Sequence, residues 1–349
     1  MRRKKAIDFL LVTLFAGILF TFTVIIGLGG TMKEGSLQVA SFNERFYADN
    51  ALSDFVKYVD YKVFGHIDEG DLLIGRDEWL FEAKDSENGY ERLRDYIGAN
   101  QFSDKQLETI IATISKRAES YESNGVRYMM VVIPDSISVC SENAPWYLGD
   151  QSENTRLSQI TRLASERGMD NFINPTQIMI SESKNVVMYN NTENTINAYG
   201  AYCIYNTVVS QFLAETGREV NRIYREDVDF YTRITDGRRI AELAGLSETI
   251  KNRTVSVSDE MSEEYQVKEN EKKLVKTVKN NIQQSGNHEC VVIECTSDWD
   301  RIQLTPYFSN TFDTVYYREL STHPNDAMQY EPTLVVQIIH ESELEMLLK

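Results

Sequence analysis

The side chains that most often carry chemistry are scarce and scattered. The four histidines, His66, His288, His323 and His340, fall at no metal-ligand spacing, so a metal-dependent mechanism lacks its ligands. Cys140, Cys203, Cys290 and Cys295 form no CxxC pair, which argues against a zinc ribbon or a disulfide scaffold and for free thiols packed as small apolar groups. No cofactor is expected. The polar run after Tyr189 is denser, with Asn190, Asn191, Asn194 and Asn197 in one loop. Amides bond hydroxyls and aromatic faces stack on flat rings, so Tyr189, these asparagines and Trp299 make a candidate ligand-binding site. Asn-rich loops more commonly serve as turns.

The elements that must position these residues read as an alternation of strands and amphipathic helices. Residues 71–75 and 79–81 form two short strands around a turn at Arg76-Asp77. Ser103 with Gln106 makes a capping box, and Leu107, Ile110, Ile111 and Ile114 line one helical face up to Gly125. Residues 128–133 are almost continuously apolar, as in a strand buried on both faces of a parallel sheet. A helix carrying Leu157, Ile160 and Leu163 follows, then strands near Phe172-Ile173 and over 186–189. A helix with Ala201, Ile204, Val208 and Phe212 on one face ends near Gly217. Residues 290–293, 314–317 and 334–339 read as three more strands, the last followed by a short helix. This pattern predicts an α/β doubly wound parallel sheet, with chemistry sought in the loops after Ile133, Tyr189 and Ile293.

Before the sheet, residues 9–28 are an apolar run of spanning length behind Arg2, Arg3, Lys4 and Lys5. A cleaved signal would have a shorter apolar stretch and a small-x-small site, so the expectation is an uncleaved anchor with its N-terminus in the cytoplasm and the rest outside. The division expected is an anchor at 1–30, a helical collar and hairpin at 31–100, and an α/β domain at 101–349 with a charged insertion near 218–285. Within that insertion, 269–279 reads as a solvated helix. The formal charge of −17 over 349 residues disfavours nucleic acid as a partner. Hydrophobic residues at 42% supply enough apolar area for a core.

The stretch Leu72-Leu73-Ile74-Gly75-Arg76-Asp77-Glu78-Trp79-Leu80-Phe81 resembles the Gly-Lys-Asp-Gly-Trp-Leu-Phe motif of the alginate-acetylation (AlgX/AlgJ-like) branch of the SGNH hydrolases. Later landmarks follow in order: Gln101-Phe102-Ser103, Gly125-Val126-Arg127-Tyr128, Pro134-Asp135-Ser136 and Glu331-Pro332-Thr333-Leu334. Residues 188–202 resemble the family block Leu-Tyr-Tyr-Lys-Thr-Asp-Thr-His-Trp-Asn-x-x-Gly-Ala-Tyr, in which the Asp orients a His that activates a serine. Here Glu193 replaces the Asp, Thr195 the His and Ile196 the Trp. The family's Gly-Asp-Ser-Phe is similarly eroded: Glu294-Cys295-Thr296-Ser297 follows the strand, with Thr296 at the nucleophile and Ser297 there if the alignment shifts by one.

The resemblance implies an SGNH-like fold, a role in O-acetylation of a cell-surface polysaccharide, and two partners, that polysaccharide and a membrane-bound O-acyltransferase. The substitutions argue against turnover. A hydroxyl attacks an ester only when a base takes its proton, and Thr195 is not a base. Glu294 at the turn would set a carboxylate near the developing oxyanion. The expectation is therefore a catalytically impaired pseudoenzyme that binds a glycan or an assembly partner. The alternative is an active O-acetyltransferase or esterase using Ser297 or Thr296 with an unrecognised base.

Overall fold

The computed structural model of the chain describes residues 71–85, 89–269, 274–279, 289–321, 323 and 325–349. The expected anchor at 9–28, the helical part of the collar, His66 and His288 lie outside the described residues. Among the described residues no helix is long and apolar enough to cross a membrane.

In chain order the elements begin with β1 (Leu72–Ile74), β2 (Leu80–Glu82), α1 (Arg92–Tyr96), α2 (Asp104–Glu122), β3 (Arg127–Ile133) and α3 (Ser136–Val139). There follow α4 (Arg156–Glu166), β4 (Phe172–Ile173), α5 (Thr176–Ser183), α6 (Ala198–Thr216), β5 (Phe230–Asp236), α7 (Arg239–Leu243) and β6 (Lys251–Val257). The rest are β7 (Tyr265–Glu269), β8 (Val275–Lys279), β9 (Cys290–Cys295), α8 (Asp298–Thr311), β10 (Thr314–Glu319), α9 (Asn325–Met328) and β11 (Leu334–His340). A 3-10 turn, Glu341–Leu348, closes the chain.

The main sheet has seven strands in the order β4-β3-β11-β9-β10-β8-β7. The first five are parallel, and β8 and β7 add an antiparallel pair at the edge of β10. In β3 every residue after Arg127 is buried, because helices cover both faces. Met129, Val131 and Ile133 pack with α6 and α8 on one face; Tyr128, Met130 and Val132 pack with α2 and α4 on the other. The period of two along a strand thus divides one apolar run between two cores. β5 and β6 pair separately, as do β1 and β2.

The helix boundaries follow local chemistry. Ser103 and Gln106 form the expected capping box of α2. Asn197 caps α6 by accepting from the Tyr199 and Gly200 amides, and Gly217 ends that helix in the left-handed region at φ 63°. Gly200 is required by contact: a Cβ there would lie 2.5 Å from the Met188 carbonyl oxygen.

Two expected elements differ. Residues 186–189 form no strand, and only an isolated bridge joins Tyr189 to Ile196. That apolar stretch is held by α6 packing instead of a ladder. Residues 269–279 hold no helix where they are described: β7 ends at Glu269, and 275–279 is β8, with Val275 and Thr277 buried. The run Val-Lys-Thr-Val-Lys has a strand's period at Val275 and Thr277, while its lysines resemble those of a solvated helix.

Candidate functional site

The carboxyl ends of β3, β9 and β11 and the loop before α6 converge on one cleft of about 240 Å³. Pro134 and Asp135 come from β3, Thr296 and Ser297 from β9, and His340, Ser342 and Glu343 from β11. Glu193, Asn194 and Thr195 come from the loop, and Glu82, Asp85, Arg92 and Arg239 complete the lining. This is the location that the topology of an open parallel sheet dictates.

Each hydroxyl has a partner. Thr296 Oγ1 donates to Glu343 Oε2 at 2.7 Å, and the same oxygen accepts the His340 amide at 2.8 Å. Ser297 is the N-cap of α8, its Oγ accepting the Asp300 amide at 3.4 Å. Thr195 Oγ1 accepts from Asn190 Nδ2 at 2.8 Å, so the side chain at the family's imidazole position is tied to its own loop. Asn194, left-handed at φ 57°, meets the Ser136 hydroxyl at 2.7 Å through its amide. Partial burial pushes the Glu193 carboxyl up, and Arg238 and Arg239 pull it back in part.

His340 is the histidine at this cleft, and its Nε2 lies 2.6 Å from Asp300 Oδ2. Burial alone would lower the imidazole, but the Asp300 charge, the hydrogen bond to it and Glu343 outweigh that and hold it at about 9. It is therefore an imidazolium at neutral pH. The arginines are also committed. Arg92 bridges Asp85 and Asp135, while Arg239 forms two bonds to Glu82, at 2.8 and 2.7 Å. Behind the cleft Glu341 accepts the Asp135 amide at 2.8 Å, and burial, then Asp135 and Asp95, push its carboxyl well above the usual range.

Of the expected residues, Glu193, Asn194, Thr195, Thr296 and Ser297 come together at the cleft. Tyr189, Asn191 and Asn197 turn inward. Tyr189 donates to the Pro134 carbonyl at 2.5 Å, Asn191 bonds the Glu78 and Lys251 carbonyls, and Asn197 spends its side chain on capping α6 and on Val187 O. Their amides are satisfied by backbone, which leaves nothing for a sugar. Trp299 stands outside the cleft lining and donates from Nε1 to Ile196 O at 2.8 Å. Glu294 corrects a second expectation. It faces the opposite side of the sheet, where Gln337 Nε2 donates to it at 2.6 Å and Arg318 approaches at 3.6 Å, so it sets no charge at the oxyanion position. Cys295, on the cleft-side face, is pushed up to about 12 by burial and stays a thiol.

Sequence reasoning missed His340 and Glu343. The signal was present, since a polar residue directly after a buried parallel strand lies at its carboxyl end.

No family model and no curated protein matches the sequence. Solved structures do. Bacillus cereus PatB1 bearing a sulfonyl adduct superposes with a TM-score of 0.54 at 11% identity, over 79% of this chain and 97% of that one. A second PatB1 structure gives 0.51 at 13% identity, over 78% and 97%. The O-acetyltransferase domain of Pseudomonas putida AlgJ gives 0.48 at 12% identity, over 79% and 92%. The chain thus has the SGNH-like fold that its motifs resemble, as a divergent example.

Proposed function

We propose that this chain is an SGNH-like protein of cell-surface polysaccharide O-acetylation whose cleft binds a glycan or an assembly partner without turning over acyl groups. Residues 9–28 hold it to the membrane with its α/β domain outside the cytoplasm, beside a membrane-bound O-acyltransferase that supplies acyl groups. The motif resemblance over residues 72–81 and 188–202 supports the pathway. One observation carries the loss of turnover: the histidine at the cleft is bound to Asp300 as a cation, and the position that should hold a basic imidazole is Thr195. A cation accepts no proton from an attacking hydroxyl. The test is p-nitrophenyl acetate hydrolysis by the full chain in detergent, beside Thr296→Ala and Ser297→Ala. All three should match the uncatalysed rate; release abolished by either substitution defeats the reading.

A second reading rests on the 2.7 Å bond from Thr296 to Glu343. In it Glu343 takes the Thr296 proton as Oγ1 bonds to the acyl carbon, and the proton passes to the departing alkoxide. This reading requires an acyl-enzyme burst lost in both Thr296→Ala and Glu343→Gln.

A further inference from the structure

The hairpin of β5 and β6 is a sheet of its own, and its two outer edges differ. On β6 the edge is closed by Asn191, whose Oδ1 accepts the Arg253 amide at 2.6 Å and whose Nδ2 donates to Lys251 O at 3.1 Å. The main-chain groups of Lys251 and Arg253 therefore point away from β5. That makes their pairings with Asp236 and Ile234 the non-hydrogen-bonded ones of the ladder. By the same alternation Phe230, Thr232 and Ile234 turn their N–H and C=O groups away from β6, and no strand among the described residues pairs with them.

This edge lacks the devices that keep strand edges from pairing. All of Phe230–Asp236 pairs with β6 without a bulge, and the strand holds neither lysine nor proline. Tyr231 is 41% exposed and Ile234 65%.

The side chains select what lies against it. Phe230, Thr232 and Ile234 share one face of the strand. Tyr231 and Arg233 share the other, where the guanidinium stands over the ring and donates to the phenol oxygen at 3.0 Å. A second β5, laid antiparallel with Thr232 opposite the partner's Thr232, makes the edge its own complement. The outward groups of Phe230, Thr232 and Ile234 then all fall in hydrogen-bonded pairs. Phe230 faces the partner's Ile234, and Tyr231 faces the partner's Arg233 in the close, non-hydrogen-bonded position, each twice by symmetry. Moving the pairing one step toward the C-terminus sets Arg233 against the partner's Arg233 and Phe230 against the partner's Asp236, which like charge and desolvation oppose. A strand from an unrelated protein would have to bring both a ring for Arg233 and an apolar side chain for Phe230; β5 supplies both at the spacing required.

We propose that β5 is a self-association edge through which two copies of this chain pair, antiparallel about Thr232, into a four-stranded β6-β5-β5-β6 sheet. A strand edge about 17 Å long gives less contact than a standard interface, so the dimer is one of micromolar strength. The pairing is independent of what the first cleft binds.

The test is sedimentation velocity of the full chain in density-matched detergent. About 0.3 M salt screens the repulsion between two chains of net charge −17. Expected between about 1 and 100 μM is a monomer–dimer equilibrium, weakened about tenfold or more by Thr232→Pro and by Ile234→Lys. Ile234 stands in solvent and the Thr232 amide takes no part in the ladder with β6, so both variants should keep the parent's circular dichroism; if Thr232→Pro does not, Ile234→Lys decides. Tyr231→Cys and Arg233→Cys read the register: under oxidation they should crosslink when mixed, above the parent's background, and neither should do so alone. A parent that stays monomeric over this range overturns the proposal. So does a dimer that Ile234→Lys leaves intact, or one in which mixing the cysteine variants adds no crosslink.

Discussion

The carboxylate of Asp300, buried at the start of α8, holds the imidazole of His340, at the end of β11, at 2.6 Å. The pair joins a helix to the last strand of the sheet at the mouth of the first cleft.

The bond makes stability depend on pH. In the unfolded chain a histidine titrates near about 6.5, and here it is raised to about 9. Its stabilising contribution is therefore complete below about pH 6.5 and is lost as pH climbs through about 9, by on the order of 3 kcal/mol. Asp300→Asn should bring the imidazole titration back toward neutrality and flatten that loss. NMR titration of the His340 ring, with urea unfolding at pH 6 and pH 9.5, reads both.

Glu341 has the same sign and acts from a lower pH. Burial raises its carboxyl above the value of about 4.3 that a glutamate has in the unfolded chain, so stability falls as pH rises above that value. Glu341→Gln should remove this slope. Thermal melts between pH 4.5 and pH 7.5 should show the variant at least as stable as the parent at the upper end.

Gly200→Ala puts a methyl 2.5 Å from the Met188 carbonyl oxygen, an overlap of backbone with backbone. The expected cost is about 1–3 kcal/mol, a fall in Tm of several degrees. Circular dichroism melting measures it, and an unchanged Tm would contradict the packing described for residues 188–200.

Gln337 is the hub of a buried polar network. It accepts from Arg117 at 2.9 Å and Tyr128 at 2.7 Å, and donates to Glu294. Gln337→Leu takes this acceptor from Arg117 and Tyr128 and this donor from Glu294, and should cost about 3 kcal/mol in urea unfolding. Gln337→Glu should cost more, since it sets a second carboxylate against Glu294.

The strands β3, β9 and β11 were legible because strands covered on both faces are written as unbroken apolar runs, and α2 because its capping box is local. Residues 186–189 are just as apolar, yet whether such a run joins a ladder depends on a neighbour distant in sequence. The candidate site was half legible. Glu193, Thr195, Thr296 and Ser297 sit in motifs whose spacing survives substitution. His340 and Glu343 are marked in the sequence only by following a buried strand, and it is the register of β11 against β3, which pairs His340 with Ile133, that brings them to the same cleft.

Both borders of the seven-stranded sheet are poor templates. On one side β4 offers two residues; on the other β7 leaves Gln266, Lys268 and Glu269 in solvent. A strand from another copy would find too little backbone at the first and a desolvation penalty for its charges at the second. Both borders therefore disfavour the addition of a strand from a second copy.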